Sequence, residues 1–245
     1  MNDLGNPSQD ESINASVSAS NRTCITCAVI LAAGLAAIVL LVIGLGILFG
    51  PRLLSEYYVR SGISFEEQGD ADLAIRQFDR AIKLNPKSET AYFHRSLAYN
   101  YLGDFEQALS DVNQAIRLSP DYLDAYFQRG YIYLEIGDYR RSIPEFNKVI
   151  DLDPSLPGGY NNRCWAYYNI GEYERALPDC ETAVELGPDD AIILDSRARV
   201  YQALGLTDKA IDDFRRIIEL GQDSDLSDYA AEQLEQLESL EGTSP

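Results

Sequence analysis

Residues 89–122 read ETAYFHRSLAYNYLGDFEQALSDVNQAIRLSPDY, and this stretch is one unit of a repeating pattern. Its first half spaces Tyr92, Phe93, Leu97, Ala98 and Tyr101 as one face of a helix. Gly103-Asp104 then signals a stop and a turn. The second half spaces Phe105, Ala108, Leu109, Val112, Ala115, Ile116 and Leu118 along another helical face. Pro120 ends it, because the residue before a proline resists the helical region. The spacing predicts two short antiparallel helices joined by a tight turn. Neither is long enough to hold its shape alone in water, so each must bury its apolar face against neighbours.

Those neighbours are copies. Gly69, Gly103, Gly137, Gly171 and Gly205 fall 34 residues apart, as do Phe65, Tyr99, Tyr133, Tyr167 and Tyr201. Leu84, Leu118, Leu152, Leu186 and Leu220 keep the same step, the first four lying two residues ahead of Pro86, Pro120, Pro154 and Pro188. A fixed period of this length specifies a stacked-repeat architecture. Two columns hold small residues: Ala74, Ala108, Ser142, Ala176, Ala210, and Gly62, Ser96, Gly130, Cys164, Ala198. They mark places where helices approach closely, a large side chain there costing roughly 1–3 kcal/mol by overpacking. Pro144 and Pro178 fall near the start of second-helix segments, where a missing backbone donor is expected to be tolerated.

The hairpin unit, its period and these columns resemble the tetratricopeptide repeat family. The family's usual Trp near the start of each repeat is Tyr58, Tyr92, Tyr126 and Tyr160 here, and Leu194 in the fifth. Gln222 stands where the other repeats have proline. The resemblance implies an all-α solenoid of five helix-turn-helix repeats over 55–223, in units of about 55–88, 89–122, 123–156, 157–190 and 191–223. After them, DLSDYAAEQLEQLESL carries Leu226, Tyr229, Ala230, Leu234, Leu237 and Leu240 at helical spacing. It reads as a capping helix over 225–241, which such stacks need to close with a polar outer face.

Ahead of the repeats, residues 28–49 (AVILAAGLAAIVLLVIGLGILF) contain no charge and no polar side chain. At about 1.5 Å rise per residue this run reaches about 33 Å, enough to cross the hydrocarbon core. It is longer than the apolar core of a signal peptide, so it predicts one retained transmembrane helix and a single-pass membrane localisation. Arg22 lies on one side and Arg52 and Arg60 on the other, which leans the repeat domain towards the cytoplasmic side. Gly46 and Gly50 form a G-x-x-x-G, leaving open a homodimer through the transmembrane helix beside an ordinary small-residue content. Residues 1–27 are rich in Ser, Asn and Asp and are expected to be a disordered polar tail. Cys24 and Cys27 read as juxtamembrane thiols, since no second ligand pair follows them.

The chain holds 39 acidic and 20 basic side chains, a net charge of −19. That balance excludes a nucleic-acid partner, which needs clustered Lys and Arg, and favours a basic or neutral ligand at long range. One histidine, and no phosphate-cradling loop, G-x-S-x-G or H-E-x-x-H, leave little for catalysis. The expectation is no enzyme activity, no cofactor and no metal.

Arg95, Arg129, Arg163 and Arg197 occupy one column, and Asp111, Glu145, Asp179 and Asp213 follow each by sixteen residues. In the first repeat both places are neutral, Ser61 and Gln77. Charge present in both or absent from both predicts a structural ion pair, within a hairpin or between adjacent ones. The alternative is a row of arginines lining a groove. Cys164 and Cys180 share the same offset and are expected to touch, as two buried thiols or, in an oxidising compartment, as a disulfide.

The family resemblance further implies that the first helices line a concave groove. It places Phe93, Leu97, Asn100, Phe127, Tyr131, Leu134, Asn161, Trp165, Tyr168, Asp195, Arg199 and Gln202 there, some of them free to pack between repeats instead. Trp165 and Tyr131 are the expected anchors. A subset of the family grips acidic chaperone tails with a Lys/Asn/Arg clamp, but those places hold Val59, Ile63, Phe93, Leu97 and Phe127. The expected ligand is therefore an apolar or mildly basic protein or peptide segment. The expected function is a membrane-anchored adaptor or scaffold. The alternative is a structural subunit of a membrane complex assembled through its transmembrane helix.

Overall fold

The computed structural model describes residues 50–241. The tail expected over 1–27 and the anchor expected over 28–49 lie outside the described residues. Among the described residues no helix is long and apolar enough to cross a membrane. The chain divides into two units, 1–56 and 57–245, of which the second holds the repeats.

Every described element is a helix. They are α1 (50–67), α2 (Ala71–Leu84), α3 (Glu89–Tyr101), α4 (Phe105–Leu118), α5 (Leu123–Glu135), α6 (Tyr139–Leu152), α7 (Pro157–Asn169), α8 (Tyr173–Leu186), α9 (Ala191–Ala203), α10 (Thr207–Leu220) and α11 (Ser224–Glu241). Odd-numbered helices up to α9 open a hairpin, even-numbered ones close it, and α11 follows the fifth. Gly137 shows what the turn demands. Its φ of +76° is left-handed backbone, which a side chain would disfavour by roughly 1–2 kcal/mol. The turn lets the Gly137 and Asp138 N–H groups donate to the carbonyls of Leu134 and Tyr133 at 3.0 and 2.8 Å. Asp138 then caps α6, its Oδ1 accepting the Arg141 N–H at 3.1 Å. Asp70 and Asp104 do the same for α2 and α4.

Each helix packs on the next in sequence. First helices also meet one another, α3 with α5, α5 with α7 and α7 with α9, and α9 meets α11. Among the described residues no two second helices bring their backbones as close. The first helices are thus crowded together and the second helices splayed, so the first helices form the inner, concave side of the stack.

Sizes match across each hairpin at an offset of sixteen. Gly62 faces Phe78 and Gly130 faces Phe146, where an added Cβ would come within 2.4 and 2.8 Å of the ring. Ser96 answers to Val112 and Cys164 to Cys180, all fully buried. The two cysteines meet across the fourth hairpin, their Cα atoms 5.5 Å apart, within the span that a disulfide takes. Ala198 and Phe214, at the same offset in the fifth hairpin, are likewise fully buried.

The arginine column knits the stack together. Arg95 forks onto Asp111, Nε to Oδ2 at 2.6 Å and Nη2 to Oδ1 at 2.7 Å. Arg163 forks onto Asp179 at 2.7 and 2.6 Å, and Arg197 onto Asp213 at 2.9 and 2.6 Å. Arg129 makes one such bond, Nη2 to Glu145 Oε2 at 2.7 Å. All four lie inside one hairpin. The remaining nitrogen reaches the preceding hairpin: Arg95 Nη1 donates to Asp79, Arg129 Nη1 to Asn113 and Arg163 Nη1 to Asn147. Each of these three guanidinium groups therefore ties three helices. Tyr92, Tyr126, Tyr160 and Tyr201 place their rings 5.4 to 5.9 Å from the guanidinium carbons of Arg95, Arg129, Arg163 and Arg197.

The prolines are tolerated as expected, though not within the first turn. Pro144 and Pro178 are the sixth residues of α6 and α8, inside the helix and beyond its first turn. Both helices run on through them. The carbonyls left without a donor belong to Arg140 and Glu174, and Arg140 and Glu174 are exposed, so water can take the bond.

Candidate functional site: the inner face of the first helices

Two pockets lie side by side on the concave face. The first, of about 450 Å³, is lined by Glu66, Leu97, Asn100, Tyr101, Gln128, Tyr131 and Glu135 among others. The second, of about 350 Å³, is lined by Tyr131, Leu134, Glu135, Asn161, Asn162, Trp165, Ile192, Asp195 and Ser196. Tyr131 and Glu135 belong to both, so the pockets form one trough with α5 as its midline.

The trough is apolar in area and polar in purpose. Trp165 stacks on Tyr168 with ring centroids 5.4 Å apart and planes 18° apart. Tyr131 stays 41% exposed and Ile192 66% exposed. Between them sit polar atoms with no hydrogen-bond partner in the protein. Five buried side-chain atoms are in that condition among the described residues, and four of them belong to trough residues: Asn100 Oδ1, Gln128 Nε2, Asn161 Oδ1 and Asp195 Oδ1. Gln128 and Asn161 are each only 8% exposed. An unmet buried polar group costs about 1–3 kcal/mol. Four of these five atoms belong to side chains that line the two pockets, so the unmet polar groups cluster beside this surface.

The companion atoms are held. Asn100 Nδ2 donates to Glu135 Oε2 at 3.1 Å. Asp195 Oδ2 accepts from Arg199 Nε at 2.7 Å. Arg199 lies 4.4 Å from the ring of Tyr229 on α11 and 5.9 Å from that of Trp165. Gln202 Nε2 donates to Gln233 Oε1 at 3.3 Å, also on α11. The last helix thereby closes one end of the trough.

Burial pushes the Asp195 carboxyl above its ordinary 3.8, and the bond and charge of Arg199 do not offset it. The folded chain thus holds this proton more tightly than the unfolded one. The resulting stabilisation is complete below 3.8 and is lost as pH rises through the raised folded value. At pH 7, above the ordinary value that the unfolded chain keeps, burial of this carboxyl is therefore a stability liability. Asp195→Asn is therefore expected to leave the melting temperature at pH 7 unchanged or higher. A loss of several degrees in a thermal melt would contradict this.

Comparison with known proteins now has a surface to refer to. Family models described as tetratricopeptide repeat match residues 59–100, 123–156, 158–190 and 193–223, and one described as TPR repeat matches 97–137. The chain is a tetratricopeptide repeat protein. An uncharacterized protein of Methanocaldococcus jannaschii is 39% identical over 44 residues, 18% of this chain, and the match spans about half (51%) of that relative. Three solved structures share the fold. MamA from Desulfovibrio magneticus RS-1, residues 41 to its end, aligns with TM-score 0.65 and 20% identity, covering 70% of this chain and 98% of that one. TTC0263, a thermophilic tetratricopeptide repeat protein of Thermus thermophilus, aligns with TM-score 0.60 and 22% identity over 74% and 98%. YrrB, described as having an unusual peptide-binding site, aligns with TM-score 0.60 and 17% identity over 71% and 90%. At these identities the likeness is one of fold alone.

Within this tetratricopeptide stack the residues assigned to the groove from sequence separate into two groups. Leu97, Asn100, Tyr131, Leu134, Asn161, Trp165 and Asp195 line the trough. Tyr168, Arg199 and Gln202 support it from behind or from its end. Phe93 and Phe127 need correcting. Phe93 is 9% exposed, its ring 5.0 Å from that of Tyr122 at the join to the next hairpin. Phe127 sets its edge on Phe146 at 5.8 Å and lies against Gly158. Neither lines the two trough pockets: Phe93 is buried at the join to the next hairpin, and the half-buried Phe127 faces Phe146 and Gly158. Gln128, Glu135, Tyr101 and Ile192 line the trough and were missed from sequence. The signal was present: Gln128, Tyr131 and Glu135 are spaced i, i+3, i+7 and so share one helical stripe.

Proposed function

We propose that this tetratricopeptide repeat protein is a protein-interaction scaffold that takes a peptide segment or partner helix in the trough built by α3, α5, α7 and α9. The observation that carries this reading is the convergence of four unpartnered polar atoms with exposed aromatic side chains along one continuous depression. Aromatic anchors supply contact area at low entropy cost, and unmet polar atoms supply orientation. The peptide-binding site ascribed to YrrB is a precedent on the same fold. Tetratricopeptide repeats in general are interaction modules without catalytic chemistry. The uncharged run 28–49 supports a further element of the proposal, that the scaffold is held at a membrane.

Trp165→Ala and Tyr131→Ala test this. Each removes an anchor, and each is expected to weaken partner capture by roughly tenfold or more, in the range of interface hot spots. Quantitative co-purification from cells, with circular dichroism confirming an intact helical fold, reads the effect. Unchanged partners would show that the trough is not the working surface and would move the assembling role to the apolar run.

A further inference from the structure

We propose that the pocket between α5, α7 and α9 seats the side chain of a lysine or arginine from the bound segment, its cation beside the Asp195 and Glu135 carboxylates and its stem against Trp165. The inference rests on the trough being the ligand surface. Three observations support it beyond that.

The first is the set of acceptors. Asn161 Oδ1 and Asp195 Oδ1 are both buried, both unpartnered, and both in this pocket. As placed both are covered acceptors, and a bound group that reaches them once the side chains turn must donate. A carboxylate cannot, and it would face Glu135 and Asp195 as a like charge.

The second is the charge of the lining. Glu66, Glu135 and Asp195 line the two pockets, and no lysine or arginine does. The nearest cation, Arg199, is already engaged through Nε with Asp195 Oδ2 and packed on Tyr229. Burial still raises Asp195 in spite of it. A neutral donor would supply a hydrogen bond alone, whereas a basic side chain adds opposite charge beside Glu135 and the Asp195–Arg199 pair. The net charge of −19 attracts basic segments at long range as well.

The third is shape. Leu134 and Ile192 offer apolar surface for the methylene stem of a long basic side chain. Trp165 also lines the pocket; its ring already stacks on Tyr168 and has Arg199 at 5.9 Å, so it contributes contact area for the stem.

The experiment uses the full-length chain and a displayed library of random heptapeptides, with the Trp165→Ala chain as counter-selection. Peptides that bind only the wild type are expected to share a lysine or arginine at one position. A synthetic peptide of that sequence is then titrated against its lysine-to-norleucine counterpart. The emission of Trp165, the chain's one tryptophan, reports binding. Norleucine is expected to weaken binding about tenfold, and Asp195→Asn or Glu135→Gln to weaken only the lysine peptide, by about three- to tenfold. Glu135 is exposed, so its variant stays informative if Asp195→Asn misfolds. Selected peptides without a shared basic residue, or a norleucine peptide that binds as tightly, would overturn the inference and leave the trough as a binding surface. A library yielding no peptide dependent on Trp165 would overturn the trough reading itself, and the inference with it.

Discussion

Replacing Arg95 with leucine is expected to lower the unfolding free energy by about 3–5 kcal/mol, because it strands a buried carboxylate. The side chain of Asp111 is 7% exposed, and both its oxygens are served by Arg95. Burial opposes the charge of Arg95, but Asp111 and then Asp79 outweigh that and hold the guanidinium firmly cationic. The reverse replacement, Asp111→Leu, costs less. Arg95 keeps its bond to Asp79, whose side chain is 52% exposed and in water's reach. A loss of about 1–2 kcal/mol is expected for it, typical of one lost hydrogen-bonded contact with a charged group. The double variant Arg95→Leu, Asp111→Leu removes both charges and should cost clearly less than the sum of the singles. Urea midpoints followed by circular dichroism measure all three. Strict additivity would mean that the pair does not act as a unit. The same experiment on Arg129 and Glu145 should show weaker coupling, since that pair has one bond where the others have two.

Gly130→Val is the second large effect. The added Cβ starts 2.8 Å from the Phe146 ring and 3.1 Å from the Glu145 Cβ. Phe146 is fully buried and has nowhere to retreat. Leaving glycine improves helix propensity by up to about 1 kcal/mol, but overpacking between α5 and α6 should outweigh it, for a net loss of about 2–3 kcal/mol. Phe146→Val alone opens a cavity and should cost about 2–4 kcal/mol. Joined, the two imitate the Ser96 and Val112 arrangement of the second hairpin. The combined loss is expected to fall at least about 1 kcal/mol short of the sum. If denaturation shows the two losses simply adding, the matching of sizes across the hairpin is not what places these residues.

The four arginine–carboxylate pairs could be anticipated because both columns change together along the chain: Ser61 and Gln77 are neutral where the others are charged. Their second partners could not. Asp79, Asn113 and Asn147 lie sixteen residues before the arginines, and the carboxylates sixteen after. A first helix sits between two second helices at equal distance along the sequence, so periodicity cannot separate one neighbour from the other. Tyr131, Trp165 and Asn161 reach the trough because their position in the repeat puts them on the inner stripe. Phe93 occupies the same column as Asn161 and is equally buried, but it faces Tyr122 at the join to the next hairpin and not a trough pocket. Only the nesting of one hairpin on the next distinguishes the two.

The chain's own order of residues determined a stack of helical hairpins with glycine turns. The period, the small columns and the turn signals are local, and helix formation with near-neighbour packing obeys local rules. Which inner atoms remain without partners was decided only in three dimensions. Whether Gln128 Nε2 or Asp195 Oδ1 finds a partner depends on how far successive first helices stand apart. That spacing follows from side-chain volumes meeting across three helices at once, which no single stretch of sequence contains.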